Sequence, residues 1–205
     1  MINTKVIVFD FDGTLVPSNN FKKELYYKLL VGKSSKESIH EIVDSSYGLY
    51  SRKEIFSRLS SDLNIDLDIE SMLDMYNKGY KNYLLKVKPM DGFSMLFDYL
   101  QSSNIKACIN TANDEKEMES LISSKNWQLY FELILGSPRT KVENLKKIMQ
   151  FYSVKKEEIC FIGDSEEDLQ AALSMNIDFF AFDSPDSSGT SGNYTKITNL
   201  SELIA

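Results

Sequence analysis

The chain has 205 residues, 42% hydrophobic and 26% charged, with 23 Lys and Arg against 30 Asp and Glu for a formal net charge of −7. That size supports one domain, or a core with a modest insertion, and the composition excludes intrinsic disorder and a coiled coil. The acidic balance argues against a protein that grips nucleic acid through bulk charge.

No apolar run approaches the roughly 20 residues of a membrane helix. The opening Met1-Ile2-Asn3-Thr4-Lys5 does not have the pattern of a signal peptide, so the expected setting is cytoplasmic, with no membrane partner.

Lys5-Val6-Ile7-Val8-Phe9 predicts a first strand that stops at Asp10. From about residue 20 to 86 the pattern turns helical. Phe21, Leu25 and Leu29 repeat every four residues, and so do Ile55, Leu59 and Leu63 behind a capping box of Ser51 and Glu54. Between them Gly32-Lys33-Ser34 lacks the earlier glycine and the preceding strand of a phosphate loop, and is expected to end a helix. Met72, Leu73, Tyr76, Tyr80, Tyr83 and Leu84 predict a longer helix.

After Pro89 and Gly92, Asp91 is the expected cap of a helix carrying Phe93, Leu96, Phe97 and Leu100. A second strand over 105–109 runs into Asn110-Thr111, with Asn113 and Asp114 opening the next helix. Strands over 131–135, 158–162 and 179–182 follow. Helices between them are marked by Leu145, Ile148 and Met149, and by Leu169, Ala172 and Leu173. Residues 184–193 gather Gly, Ser and Pro as a surface loop. Alternating strands and helices predict an α/β protein with a parallel sheet, whose ligands gather at the carboxyl edge.

The chemistry-bearing residues fall at those edges. Asp10-Phe11-Asp12-Gly13-Thr14 places two short carboxylates at a strand end, followed by a glycine that permits a sharp turn. Such a pair suits a hard cation, a covalent nucleophile or general acid/base work. Gly163-Asp164-Ser165-Glu166-Glu167-Asp168 sets Asp164 and Asp168 about one helical turn apart, while Glu166 and Glu167 fit an ordinary acidic helix start. Thr111 and Asn113 offer a hydroxyl and free N–H groups to phosphate oxygens, or simply cap a helix. Lys141 opens a helix against the dipole preference, which points to a role beyond helix stability; Arg139 is an alternative cation. One histidine and two cysteines inside apolar segments cannot build a zinc site of the usual kind, so a metal here would take oxygen ligands.

Acid pair, hydroxyl, lysine and second acid pair, in that order, resemble the haloacid dehalogenase-like superfamily of aspartyl-phosphate-forming hydrolases. The resemblance covers the first 16 residues and most of 88–183. It implies a Rossmann-like catalytic core over 1–16 and 88–205, and a small α-helical cap over 17–87. Asp10 would be the nucleophile and Asp12 the general acid and base. Mg²⁺ would be held by Asp10, the backbone carbonyl of Asp12 and Asp164, with Asp168 assisting. Thr111, Asn113 and Lys141 would bind phosphate, and the substrate would be a small phosphorylated metabolite. An acid two places after the nucleophile favours phosphate esters over the superfamily's dehalogenase chemistry.

Two departures stand out. The lysine segment Ser137-Pro138-Arg139-Thr140-Lys141 lacks the usual Lys-Pro, and Asn176 stands in for a glycine after the last core helix. Tyr47, Arg52 and Lys53 of the insert are candidates for selecting the leaving group, though a solvated helix start explains them equally. In the superfamily's strand order Cys108 and Cys160 flank the first strand, about 9.6 Å apart and beyond disulfide reach. A sugar-phosphate mutase and a non-catalytic receiver-like module are the alternative functions.

Overall fold

The computed structural model describes residues 4–192 and 194–204; Met1, Ile2 and Asn3 of the opening segment lie outside them. The chain divides into two compact units, Met1–Pro17 with Val87–Ala205, and Ser18–Lys86.

The first unit is built on a six-stranded sheet. Its strands are β1 (Val6–Phe9), β2 (Lys106–Asp114), β3 (Leu133–Ser137), β4 (Ile159–Gly163), β5 (Asp178–Phe182) and β6 (Thr195–Ile197). They lie in the order β3-β2-β1-β4-β5-β6, and every pairing is parallel. The β-branched run of β1 is buried at all four positions, as a central strand covered on both faces must be. The crossover helices are α5 (Phe93–Ser102), α6 (Glu115–Ser124), α7 (Lys141–Tyr152) and α8 (Glu166–Met175).

One apolar cluster joins Val6, Val8, Cys108, Phe161 and Phe179 to Leu145 and Ile148 of α7 and Leu169 and Ala172 of α8. An aromatic group lies around Phe9, with Phe97 and Phe131 at 5.6 and 6.4 Å from its ring centre. Burying each such side chain contributes roughly 1.5–3 kcal/mol. Cys108 and Cys160 are free and buried, beside Val8 and Ile7 of the strand between them.

Several local expectations shift. The cap of α5 is Gly92, at φ +83°, and not Asp91, whose carbonyl instead accepts from Leu200 N–H. A Cβ at Gly92 would meet Asn199 Oδ1 at 2.1 Å, so only glycine fits the approach. Strand β2 runs on to Asp114 through a register shift between Asn110 and Asp114, so Thr111 and Asn113 lie in irregular strand, not at a helix start. Asp114 itself caps α6. Asn176 ends α8 in the left-handed conformation, as its place in the sequence predicts. The edge strand β6 has only three residues, too short for a periodicity signal.

The second unit holds four helices: α1 (Asn19–Leu29), α2 (Lys36–Ser46), α3 (Arg52–Asp62) and α4 (Ile69–Lys86). Helix α3 starts on the Ser51 and Glu54 capping box. Tyr26, Phe56 and Tyr76 pack in its centre, with Tyr26 4.8 Å from each of the other two rings. Arg52 lies over Tyr76 and Tyr80 and donates to Asn77, Lys53 pairs with Glu70, and Tyr47 donates to Asn19. No helix among the described residues is long and apolar enough to cross a membrane.

Candidate active site

The site lies at the carboxyl ends of β1, β2 and β4 and the amino ends of α7 and α8. Asp10 follows β1, and its N–H reaches across to the carbonyl of Ile162 on β4 at 2.8 Å. The chain then folds back tightly. Leu15 and Val16 N–H both donate to the Phe11 carbonyl, and Gly13, at φ +77°, donates to Val16. This turn explains the glycine and keeps Asp10 and Asp12 on one short loop.

Asp164 follows β4, and Asp168 stands in the first turn of α8. Carboxylate oxygens of Asp10, Asp164 and Asp168 all lie within 4.8 Å of one another. All three residues are buried, at 5%, 2% and 0% exposure, where unpaired carboxylates are costly. Each has built-in partners. Asp164 accepts from Thr14 Oγ1 at 3.3 Å and from Ser188 N–H at 2.7 Å. Asp168 Oδ2 closes the capping box of α8 by accepting from the N–H of Ser165 at 3.1 Å and its hydroxyl at 2.5 Å. Its other oxygen accepts from Lys141.

Lys141, the first residue of α7, is itself buried and bridges the cluster. Its Nζ stands 3.1 Å from Asp10 Oδ1 and 2.5 Å from Asp168 Oδ1. Burial pulls the lysine pKa down, but Asp10 and Asp168 outweigh it and hold the ammonium protonated above the usual lysine range. Burial drives the Asp10 carboxyl well above the usual carboxylate range. Lys141 opposes that rise, while Asp168, Asp164 and Asp12 reinforce it. Oxygen-only ligands around an excess of negative charge fit a hard divalent cation such as Mg²⁺.

The carboxylate of Asp12 stands outside that group. Its Oδ2 accepts from Asn113 Nδ2 at 2.7 Å. Asn113 also donates to Thr111 Oγ1 from its backbone N–H at 3.2 Å and its side chain at 3.1 Å. The structure therefore ties Thr111, Asn113 and Asp12 into one short chain, next to the acid–lysine cluster.

Arg139, the alternative cation, points elsewhere: it pairs with Glu115 and donates to Asn144 Oδ1 at 2.8 Å. Reading the sequence alone missed Thr14, Ser188, Asn110 and Asn144. Thr14 lies within the DFDGT run and was within reach as a motif position. Ser188 reaches Asp164 through its backbone N–H, which no side-chain pattern reveals.

A family model described as haloacid dehalogenase-like hydrolase matches residues 7–182. A phosphoglycolate phosphatase of Pseudomonas fluorescens is 23% identical over 182 residues, covering 84% of this chain and 67% of that protein. A phosphoglycolate phosphatase of Aquifex aeolicus is 24% identical over 174 residues, covering 82% and 79%. Among solved structures, a predicted phosphoglycolate phosphatase from Haemophilus somnus superposes with a TM-score of 0.80 at 15% identity, covering 100% of this chain and 98% of that one.

Proposed function

The chain belongs to the haloacid dehalogenase-like hydrolase family, and from that membership we propose that this phosphatase cleaves the monoester of a small phosphorylated metabolite through an aspartyl phosphate on Asp10. The observation that carries the reading is the convergence of Asp10, Asp164 and Asp168 within 4.8 Å of one another, from two strand ends and a helix start, with the buried Lys141 bridging Asp10 and Asp168.

In this reading an oxygen of Asp10 attacks phosphorus in line, and the bond to the ester oxygen breaks. Asp12 gives the departing alkoxide a proton. Asp12 then takes a proton from water as that water attacks the acyl phosphate, which frees inorganic phosphate and restores the Asp10 carboxylate. Asn113 fixes the orientation of the Asp12 carboxylate for both transfers. Thr111 and Lys141 bind the transferring oxygens, and Lys141 offsets the charge gathered there. Asp10, Asp164 and the backbone carbonyl of Asp12 would hold Mg²⁺, with Asp168 orienting the set, and the ion would neutralise phosphoryl oxygens during transfer. The helical unit serves as the cap of this enzyme, and its setting is cytoplasmic.

Release of phosphate from an aryl phosphate in Mg²⁺ tests the reading, followed by a panel of phosphorylated organic acids, sugars and nucleotides. The relatives' names make phosphoglycolate the first member of that panel. Turnover that survives Asp10→Asn would overturn the covalent route, and phosphate incorporated on Asp10 without turnover would favour the receiver-like module. Isomerisation of a sugar phosphate without phosphate release would favour a mutase.

A further inference from the structure

Asn110, midway along β2, and Asn144, in the first turn of α7, form a polar pair that the reaction above does not use. Asn110 and Asn144 are both fully buried, and Ile109 and Leu145, next to them in sequence, are buried too. Asn110 Nδ2 donates to the Lys141 backbone carbonyl at 2.9 Å, and Asn144 Nδ2 donates to Asn110 Oδ1 at 3.0 Å. The far end is Arg139, whose Nε donates to Asn144 Oδ1 at 2.8 Å. Arg139 is itself paired with Glu115, which also accepts from Gly136 N–H at 3.1 Å.

The two ends leave these amides one orientation. A guanidinium only donates, so Asn144 must turn its oxygen to Arg139 and its NH₂ inward. Asn110 must then offer oxygen to Asn144 and NH₂ to Lys141, whose carbonyl only accepts. Flipping either amide breaks the bonds on both its sides and leaves buried polar atoms facing their like, which is costly away from water. The charge at the rim thereby sets the direction of a donor at the first turn of α7.

We infer that Asn110 and Asn144 are positioning residues: oriented by Arg139, they pin the first turn of α7 to β2 and so hold the Lys141 ammonium between Asp10 and Asp168. The inference rests on the phosphatase reading for what Lys141 does to substrate, but not for where Lys141 sits. Its two consequences are therefore measured separately, on the full chain.

The first readout is accessibility: acetic anhydride labelling of Lys141, scored by peptide mass spectrometry in Mg²⁺ buffer. The second is the split between kcat and KM for an aryl phosphate. Asn110→Leu removes the link. Asn144→Asp keeps the acceptor for Arg139 but presents a second acceptor to Asn110. Arg139→Gln, at a partly exposed position, removes the obligate donor and serves where a core variant fails to fold. Ile148→Val, in the apolar face of α7, is the control for simple loss of stability.

The expected result is Lys141 labelling raised about tenfold or more, and kcat lowered about 10- to 100-fold with KM within about twofold, in the network variants and not in Ile148→Val. Lys141 as protected in the folded network variants as in the wild type would overturn the inference. So would an equal rise in Ile148→Val at a matched melting temperature. A wild-type protein that releases no phosphate would sink the phosphatase reading alone, because the labelling still scores the pair.

Discussion

Lys141 Nζ lies 2.5 Å from an oxygen of Asp168, an acid with no exposed surface. The same ammonium reaches Asp10 at 3.1 Å, so one cation offsets two carboxylates that burial would otherwise penalise. Removing one partner of a buried pair typically costs about 3–5 kcal/mol, because the remaining charge is left unpaired. Lys141→Met is expected to lose turnover and, in chelator, to lose stability on that scale. Saturating Mg²⁺ should recover part of the stability, since a cation binding only the folded state adds to it by mass action. Urea unfolding with and without Mg²⁺ checks this, and a variant as stable as the wild type in chelator would contradict it.

Asp10→Asn should separate stability from activity. Burial, with Asp168, Asp164 and Asp12 behind it, raises the Asp10 pKa above its unfolded value. A group shifted up adds stability below its unfolded pKa and loses it as pH climbs through the folded pKa, so above the unfolded pKa the burial of Asp10 is a burden on the metal-free fold. The neutral isostere removes that burden. The variant is expected to gain about 1 kcal/mol in chelator while phosphate release falls to background. Melting curves in chelator, beside the aryl phosphate assay, test both halves; a variant less stable than the wild type would refute the first.

The strands were legible because apolar runs over 6–9 and 159–163 are short, β-rich and end in acids, which is what a buried parallel strand with a functional edge requires. The helical insert was legible from four-residue spacing and from the Ser51 and Glu54 box. Thr111 and Asn113 are harder: β2 continues through an irregularity that no propensity signals, so the sequence reads as a helix start where the strand in fact extends. Asn110 looked like a strand stop. Its importance depends on Asn144, 34 positions away, and a pairing across that separation has no local signature. The three-residue β6 forms because β5 offers it an edge, not because its own sequence demands a strand.

Asn113 contributes through Asp12. Its side chain donates to the Asp12 carboxylate at 2.7 Å, which fixes the direction of that carboxylate. Asn113→Ala removes the donor, leaves the fold's core untouched and is expected to lower kcat about 10- to 100-fold. Steady-state kinetics in Mg²⁺ check it. A wild-type kcat would mean that Asp12 is oriented without this bond.

Alkaline stability should report the buried thiol of Cys160. Burial pushes its pKa up to about 12, against 9.0 for an ordinary thiol. Below the unfolded value both states keep the proton and pH has no effect through this group. Between about 9 and about 12 the unfolded chain releases its proton first, so stability falls as pH rises, by at most about 1.4 kcal/mol per pH unit. Cys160→Ala removes this contribution. Denaturation midpoints from pH 9 upward are expected to fall less steeply in the variant than in the wild type, and parallel slopes would contradict the assignment.

Gly163 is required for the approach of Asp168. A Cβ on Gly163 would stand 2.4 Å from Asp168 Cγ and 2.6 Å from its Oδ2, far inside contact distance. Asp168 has little freedom to yield, because Ser165 holds one of its oxygens and Lys141 the other. The strain must therefore move the first turn of α8, and with it the geometry of the acid cluster. Gly163→Ala is expected to cost about 1–3 kcal/mol, the usual scale of overpacking. It should also weaken Mg²⁺ binding and lower kcat by about tenfold or more, as displaced outer partners of a metal site do. Calorimetric titration with Mg²⁺ reads the first effect and phosphate release the second. An alanine variant with wild-type Mg²⁺ affinity and turnover would show that Asp168 need not stand where the close glycine lets it.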